Sequence, residues 1–215
     1  MNPLITQKIR VLSMALELIN SYTALTFGRT MGSPAIFVID MINDCFGHAE
    51  LDRMRAALCS SINQLTALAR ANGFPVIWVR QEFESDLSDA FLDMKRENIR
   101  MYIKGTHGAR ILDELVRCDS DIEIVKKRYS MFYGTRLESL LQELNADPLI
   151  LAGVNTHACI RTAAIDAFQR DFQVIIVRDC VASKDPEHHE ITLDYLDGGI
   201  ASVVTLSELR KQFGI

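Results

Sequence analysis

Six short runs of almost unbroken apolar residues recur from Pro34 onward, and they constrain the fold more than any other feature of the chain. They are Ala35-Ile36-Phe37-Val38-Ile39, Pro75-Val76-Ile77-Trp78-Val79, Ile122 to Val125, Leu149-Ile150-Leu151-Ala152, Val174-Ile175-Ile176-Val177 and Ala201-Ser202-Val203-Val204. A strand with one wet face alternates apolar and polar residues, whereas a run without alternation is covered on both faces, as in a parallel sheet. Amphipathic stretches lie between the runs. Leu58, Ile62, Leu65, Leu68 and Ala69 share one face of a helix predicted over residues 51–71, which Asn72-Gly73 ends. Thr135 and Glu138 have the spacing of a capping box and open a helix that runs to Leu144. Residues 156–170 form another, and Asp185-Pro186-Glu187 reads as an N-cap, an N1 proline and a first-turn acid. Alternation of this kind predicts right-handed crossovers and a three-layer α/β domain. Residues 82–110 are less regular, with Gly105 and Gly108 marking loops.

The bulk numbers remove several function classes. A chain of 215 residues suits one domain, and 48% hydrophobic with 24% charged residues excludes general disorder. The net charge is -5, and the basic cluster Lys126-Lys127-Arg128 is short, so no basic face for nucleic acid is expected. Five cysteines, an odd count without a CxxC pair, argue against a disulfide framework or a zinc site and for reduced thiols in the cytoplasm. Residues 1–32 are assigned to an N-terminal extension. Ile5, Ile9, Leu12, Leu16 and Ile19 recur at helical spacing, but Glu17, Asn20 and Ser21 make the segment too polar for a membrane span. A helical packing arm, a disordered extension ahead of a start at Met31, and a targeting segment all remain open. Residues 33–215 are assigned to the single folded domain, with a small-molecule substrate and no membrane partner expected.

In open parallel sheets, ligands bind beyond the carboxyl ends of the strands. That rule turns the strand map into candidates: Asp40 after the first run, Arg80 and Gln81 after the second, Lys126 after the third, Gly153 to Cys159 after the fourth, Asp179 and Cys180 after the fifth. Cys159 falls near a predicted helix start, where free N–H groups lower a thiol pKa and can hold an oxyanion. The alternative is a small buried apolar side chain, which is the expectation for Cys45, Cys59, Cys118 and Cys180. Asp40 is a candidate base or else a loop cap. Lys126 is a candidate electrostatic partner or else a surface lysine, and strand alternation points it away from Lys127.

Three motifs then carry a resemblance. Val38-Ile39-Asp40-Met41-Ile42-Asn43-Asp44, Lys126-Lys127-Arg128-Tyr129-Ser130-Met131-Phe132 and Gly153-Val154-Asn155-Thr156-His157-Ala158-Cys159 occur in the order and spacing of the isochorismatase-like cysteine hydrolases, from about Ser33 to Leu209. The resemblance implies a Rossmann-like fold with a six-stranded parallel sheet flanked by helices. It implies a catalytic triad of Asp40, Lys126 and Cys159, and a cis peptide between Val154 and Asn155. It also implies an oxyanion hole from the N–H groups of Asn155 and Cys159. Ile42 stands where the family has Gln, and Cys45 intrudes before Phe46, so the first-strand loop is reshaped. The metal-bearing nicotinamidase branch has Asp-x-His after the second strand, whereas this chain has Arg80-Gln81-Glu82. The resemblance therefore implies no metal and no cofactor. Gly105-Thr106-His107-Gly108 looks most like the ureidoacrylate and N-carbamoyl amidohydrolases. The implied activity is hydrolysis of an amide, ureido or carbamoyl C–N bond, with vinyl-ether cleavage or a catalytically idle member as alternatives. Relatives commonly form dimers or tetramers, so a homo-oligomer is expected. Phe46, Arg80, Gln81 and Tyr133 are the expected substrate contacts. Arg80 either clamps a substrate carboxylate or pairs with Glu82 or Glu84, and His157 either lines the site or sits on a helix surface.

Overall fold

The computed structural model describes residues 32–214, and the readings of residues 1–31 lie outside the described residues. Each apolar run becomes a strand: β1 (Ser33–Ile39), β2 (Val76–Gln81), β3 (Ile122–Lys126), β4 (Ala146–Val154), β5 (Val174–Ala182) and β6 (Ser202–Val204). They form one parallel sheet in the order β3-β2-β1-β4-β5-β6. The runs are continuous because alternate residues feed two different cores. Phe37, Ile39, Ile77, Val79, Leu149 and Leu151 pack on one face. Ile36, Val38, Trp78, Ile150 and Ala152 pack on the other.

Helices cover both faces. On the second face lie α1 (Ala49–Ala71), through Leu58, Ile62, Leu65 and Ala69, and a C-terminal helix of residues 206–213. After the short α2 (Leu92–Glu97), three helices cover the first face: α3 (Leu137–Glu143), α4 (Arg161–Phe168) and α5 (Pro186–Leu196). The C-terminal helix is α6 (Leu206–Phe213). Asn72 and Gly73 stop α1, with Gly73 at φ +72°, and Asp185 caps α5 by accepting from His188 N at 3.0 Å with Pro186 next in line.

Three local expectations need correction. The capping box falls at Thr205 and Glu208, not at Thr135 and Glu138. Helix α3 begins at Leu137, and the Thr135 hydroxyl is turned back to donate to Met131 O at 2.7 Å. Asp179 and Cys180 lie inside β5 rather than beyond it. The pairing with β4 advances from Leu151↔Ile176 to Gly153↔Val181, so β5 bulges at these residues. Asp179 then accepts from Leu206 N at 2.6 Å and holds the start of α6. The predicted helix over residues 156–170 opens with a π-wound turn, Thr156–Ile160, in which Ile160 N donates to Asn155 O at 3.3 Å.

The strand order reverses direction between β1 and β4, which places the crevice of the fold there. Gly153 is what lets these two strand ends approach. Its φ is +117°, and a Cβ would sit 2.0 Å from Ile39 O. Gly153→Ala is therefore expected to lower stability by about 2 kcal/mol or more, the scale of local backbone strain. A melting temperature equal to wild type by calorimetry would show that the strand ends are not in close approach.

Candidate active site

Three strand ends deliver three side chains to that crevice. Asp40 follows β1 directly in a left-handed backbone conformation, φ +53°, which is unusual for a residue with a side chain and is found where surrounding structure overrides local preference. Its Oδ1 accepts from Gln81 N at 2.8 Å, and its Oδ2 pairs with Lys126 Nζ at 2.7 Å. Lys126 has no exposed surface. Its ammonium also donates to Arg128 O at 3.2 Å and to Cys159 Sγ at 3.4 Å, so it bridges the carboxylate and the sulfur. Lys127, the next residue, points away and pairs with Asp89 at 2.7 Å. Cys159 sits in the π-wound turn ahead of α4, buried at 6% exposure. The peptide between Val154 and Asn155 is cis.

The electrostatics differ from the expectation for a thiol at a helix start. Burial is the largest influence on Cys159, the Asp40 carboxylate adds to it, and Lys126 opposes them; the thiol stands well above its ordinary value. Burial alone depresses Lys126, but Asp40 and the Cys159 sulfur outweigh it and hold the ammonium above its ordinary value. These influences favour the ammonium form of Lys126 and the protonated form of Cys159.

A cleft of about 440 Å³ opens over this floor. Asp40, Gln81, Asn155, His157 and Cys159 line it, with Cys45 and Tyr102 on one side, Phe91, Met94 and Tyr129 as apolar wall, and Lys184 at the mouth. The wall comes from residues 82–104, where Phe83, Leu87, Ala90, Met94 and Ile103 form a small core of their own. Tyr129 packs against Phe91 with the rings tilted by 51° and their centroids 5.2 Å apart. His157 lines the cleft instead of lying on a helix surface, with Nδ1 2.5 Å from Ser183 Oγ, and burial keeps it below the ordinary histidine value. Cys45 borders the cleft too, but burial pushes its thiol up to about 12.

Of the four expected substrate contacts, the cleft receives Gln81 alone. Arg80 projects from the opposite sheet face, as strand alternation requires, and is held by Glu82 at 2.5 Å and Glu123 at 2.7 Å. It borders a different cleft. Phe46 is buried beside a neighbouring cleft under the Arg55 guanidinium. Tyr133 is 66% exposed, and Tyr129, four residues earlier, lines the cleft in its stead. Sequence reading missed Tyr102, Phe91, Met94 and Lys184. Tyr129 had a signal, its place in the Lys-x-Arg-Tyr-Ser motif; Phe91, Tyr102 and Lys184 lie on loops without periodicity, and Met94 sits in α2, which is too short to show one. Among the described residues, no group of three or more His, Cys, Asp or Glu is arranged to hold a metal ion. No helix among them is long and apolar enough to cross a membrane.

The Isochorismatase domain model matches residues 34–208. This chain belongs to the isochorismatase family. Within that family it is 34% identical over 171 residues to a "probable inactive nicotinamidase" of Arabidopsis thaliana, covering 76% of this chain and 86% of the relative. It is 29% identical over 191 residues to the maleamate amidohydrolase of Pseudomonas putida, covering 86% of this chain and 88% of the relative. Among solved isochorismatase-like folds, the N-carbamoylsarcosine amidase of Thermoplasma acidophilum superposes with a TM-score of 0.69 at 30% identity, over 80% of this chain and 96% of that one.

The buried pair is expected to dominate the stability of the site. Lys126→Met leaves a buried carboxylate without its partner and is expected to cost about 3–5 kcal/mol, while Asp40→Asn with Lys126→Met recovers part of that loss. Urea unfolding of the two variants checks this; a double variant no more stable than the single would refute it. Because Asp40 raises Lys126, the share of the contribution that depends on the Lys126 proton persists up to the ordinary lysine value of 10.5 and is lost only as pH rises beyond it. Thiolate absorbance, taken as wild type minus Cys159→Ala, is expected to stay flat up to the ordinary thiol value of 9.0. A step below that pH would contradict a neutral resting thiol.

Proposed function

We propose that this chain is a cysteine amidohydrolase, cleaving the C–N bond of a small amide, ureido or carbamoyl compound through a thioester on Cys159. The observation that carries the reading is the single ammonium, Lys126 Nζ, buried 2.7 Å from Asp40 Oδ2 and 3.4 Å from Cys159 Sγ, both of which line a cleft sized for a small molecule. Nucleophile, base and electrostatic partner are within reach of one another. The relatives named as a maleamate amidohydrolase and an N-carbamoylsarcosine amidase support the same bond type.

A neutral thiol needs a base at the moment of attack. Asp40 takes the Cys159 proton as sulfur bonds to the substrate carbonyl carbon, and Lys126 stabilises the charge left near the sulfur. The backbone N–H groups of Asn155 and Cys159 receive the oxyanion of the tetrahedral intermediate. Asp40 returns the proton to the leaving nitrogen as the C–N bond breaks, and an amine or ammonia departs. Asp40 then takes a proton from water, whose oxygen attacks the thioester; the C–S bond breaks, the sulfur regains a proton and the acid leaves. Acid–base catalysis by a positioned carboxylate is worth about 10²- to 10⁴-fold.

The relative named as probably inactive favours a second reading, an idle member of the family. Ammonia release from a panel of primary amides, ureido acids and carbamoyl amines separates the two. The amidohydrolase reading expects release that Cys159→Ala abolishes and Asp40→Asn lowers by at least 10²-fold. No release from any compound would favour the idle reading.

A further inference from the structure

The wall of the cleft holds a polar group that the proposed chemistry leaves unemployed. Gln81 closes β2 on the sheet face that carries Lys126 and Cys159. Its backbone N–H is committed to Asp40 Oδ1. Its side chain is 4% exposed and lines the cleft, and its Nε2 is buried without a hydrogen-bond partner. A carboxamide NH2 carries two donors, and native structures rarely leave such a group buried and unpaired unless something else satisfies it. Tyr102 faces the same cleft. Among the described residues, its hydroxyl has only Cys45 Sγ as a hydrogen-bonding neighbour, at 3.8 Å, a weak partner.

The cations around the cleft are otherwise engaged. The Lys126 ammonium is spent on Asp40, Cys159 and Arg128 O. Arg80 is on the far face of the sheet between Glu82 and Glu123. Arg128 donates to Asp89 O and Lys127 O and lies over the Phe91 ring. Lys184 is exposed at the mouth. A carboxylate carried to the inner end of the cleft would be buried beside Asp40 without a counter-charge, which is costly, whereas a neutral carbonyl meets unpaired donors.

We propose that Gln81 Nε2 binds a second, uncharged acceptor on the acyl part of the substrate, so that the enzyme selects neutral amides over their acidic counterparts. This rests on the amidohydrolase reading. It assigns the inner subsite a carbonyl or carboxamide oxygen, with the Tyr102 hydroxyl as the neighbouring donor. Among the described residues that line the cleft, the one lysine or arginine a carboxylate such as that of maleamate could pair with is the exposed Lys184.

The test uses ammonia release from maleamide against maleamate, and from the methylamide of N-carbamoylglycine against N-carbamoylglycine, with butyramide as an amide lacking a second acceptor. Wild type is expected to favour each neutral member by at least about 10-fold in kcat/KM, because the acid's charge is buried without a counter-charge. Gln81→Met, which keeps the volume and removes the donor, is expected to raise KM for maleamide about 10- to 100-fold with kcat little changed. Its effect on butyramide is expected to be at least several-fold smaller than its effect on maleamide. The free enzyme should melt no lower, because an unpaired buried donor has been removed; Gln81→Leu provides the same reading should the methionine variant fold poorly. Preference for the acids, or an equal loss on maleamide and butyramide, would overturn the inference. Release that is abolished by Cys159→Ala but indifferent to Gln81→Met would overturn it alone. No release from any compound would remove the amidohydrolase reading and this inference together.

Discussion

A fully buried ammonium and a nearly fully buried carboxylate, 2.7 Å apart at the ends of two strands, set the terms for everything around them. Removing both charges from water costs several kcal/mol per ion, and their attraction offsets that only with good geometry and with the remaining donors and acceptors satisfied. The sheet supplies those conditions. β1 lies between β2 and β4, so the residue after β1 meets the Gln81 N–H of its neighbour, and Lys126 at the end of β3 reaches across β2 to the other oxygen. Asp40 accepts a left-handed backbone to do so, and Gly153 gives up its Cβ so that β4 can run close beside Ile39. Each of these local concessions is costly alone and makes sense only as support for one ion pair.

The same pair determines the state of the sulfur. A helix start by itself favours thiolate, yet Cys159 is buried and faces a carboxylate whose positive partner is already shared. Desolvation wins because the thiol has little contact with water while the Lys126 charge is largely neutralised by Asp40. A neutral thiol beside a carboxylate is less reactive toward adventitious electrophiles than a free thiolate. In the proposed mechanism it becomes a nucleophile only when a bound carbonyl makes proton transfer to Asp40 worthwhile, so that selectivity for substrate would begin with the proton and not only with the shape of the cleft.

Much of the floor was legible in the sequence because a parallel sheet obeys simple rules. Unbroken apolar runs locate strands, strand ends locate the crevice, and alternation separates Lys126 from Lys127. The same alternation, applied to Arg80 and Gln81, puts one on each face; naming both as substrate contacts overlooked it. Phe46 and Tyr133 lie outside the cleft for a different reason, since each sits on a short connecting segment whose direction depends on packing distant in sequence. Asp179 was misplaced because a bulge leaves no mark in an apolar pattern. Thr135 had the right spacing for a capping box, but its hydroxyl found Met131 O instead. Residues 82–104 read as irregular and yet supply most of the cleft wall, held by a satellite core that no periodicity announces.

Floor and wall are therefore built by different means. The floor is fixed by the ladder of the sheet, where a shift of any strand would break the ion pair. The wall is a long connection that packs mainly on itself and is tied back at a few points. Asp44 accepts from Tyr102 N, and a Cβ on Gly108 would collide with that carboxylate. Ile42 pairs with Ile111 in an isolated bridge and is fully buried. Where the resemblance called for a glutamine at position 42, the isoleucine instead supplies apolar anchorage for the segment beyond residue 102. A polar side chain lost from the loop after β1 is thus exchanged for a firmer seat under the wall. The shape of the pocket can then vary through residues 82–112 without disturbing the strand ends that hold Asp40, Lys126 and Cys159.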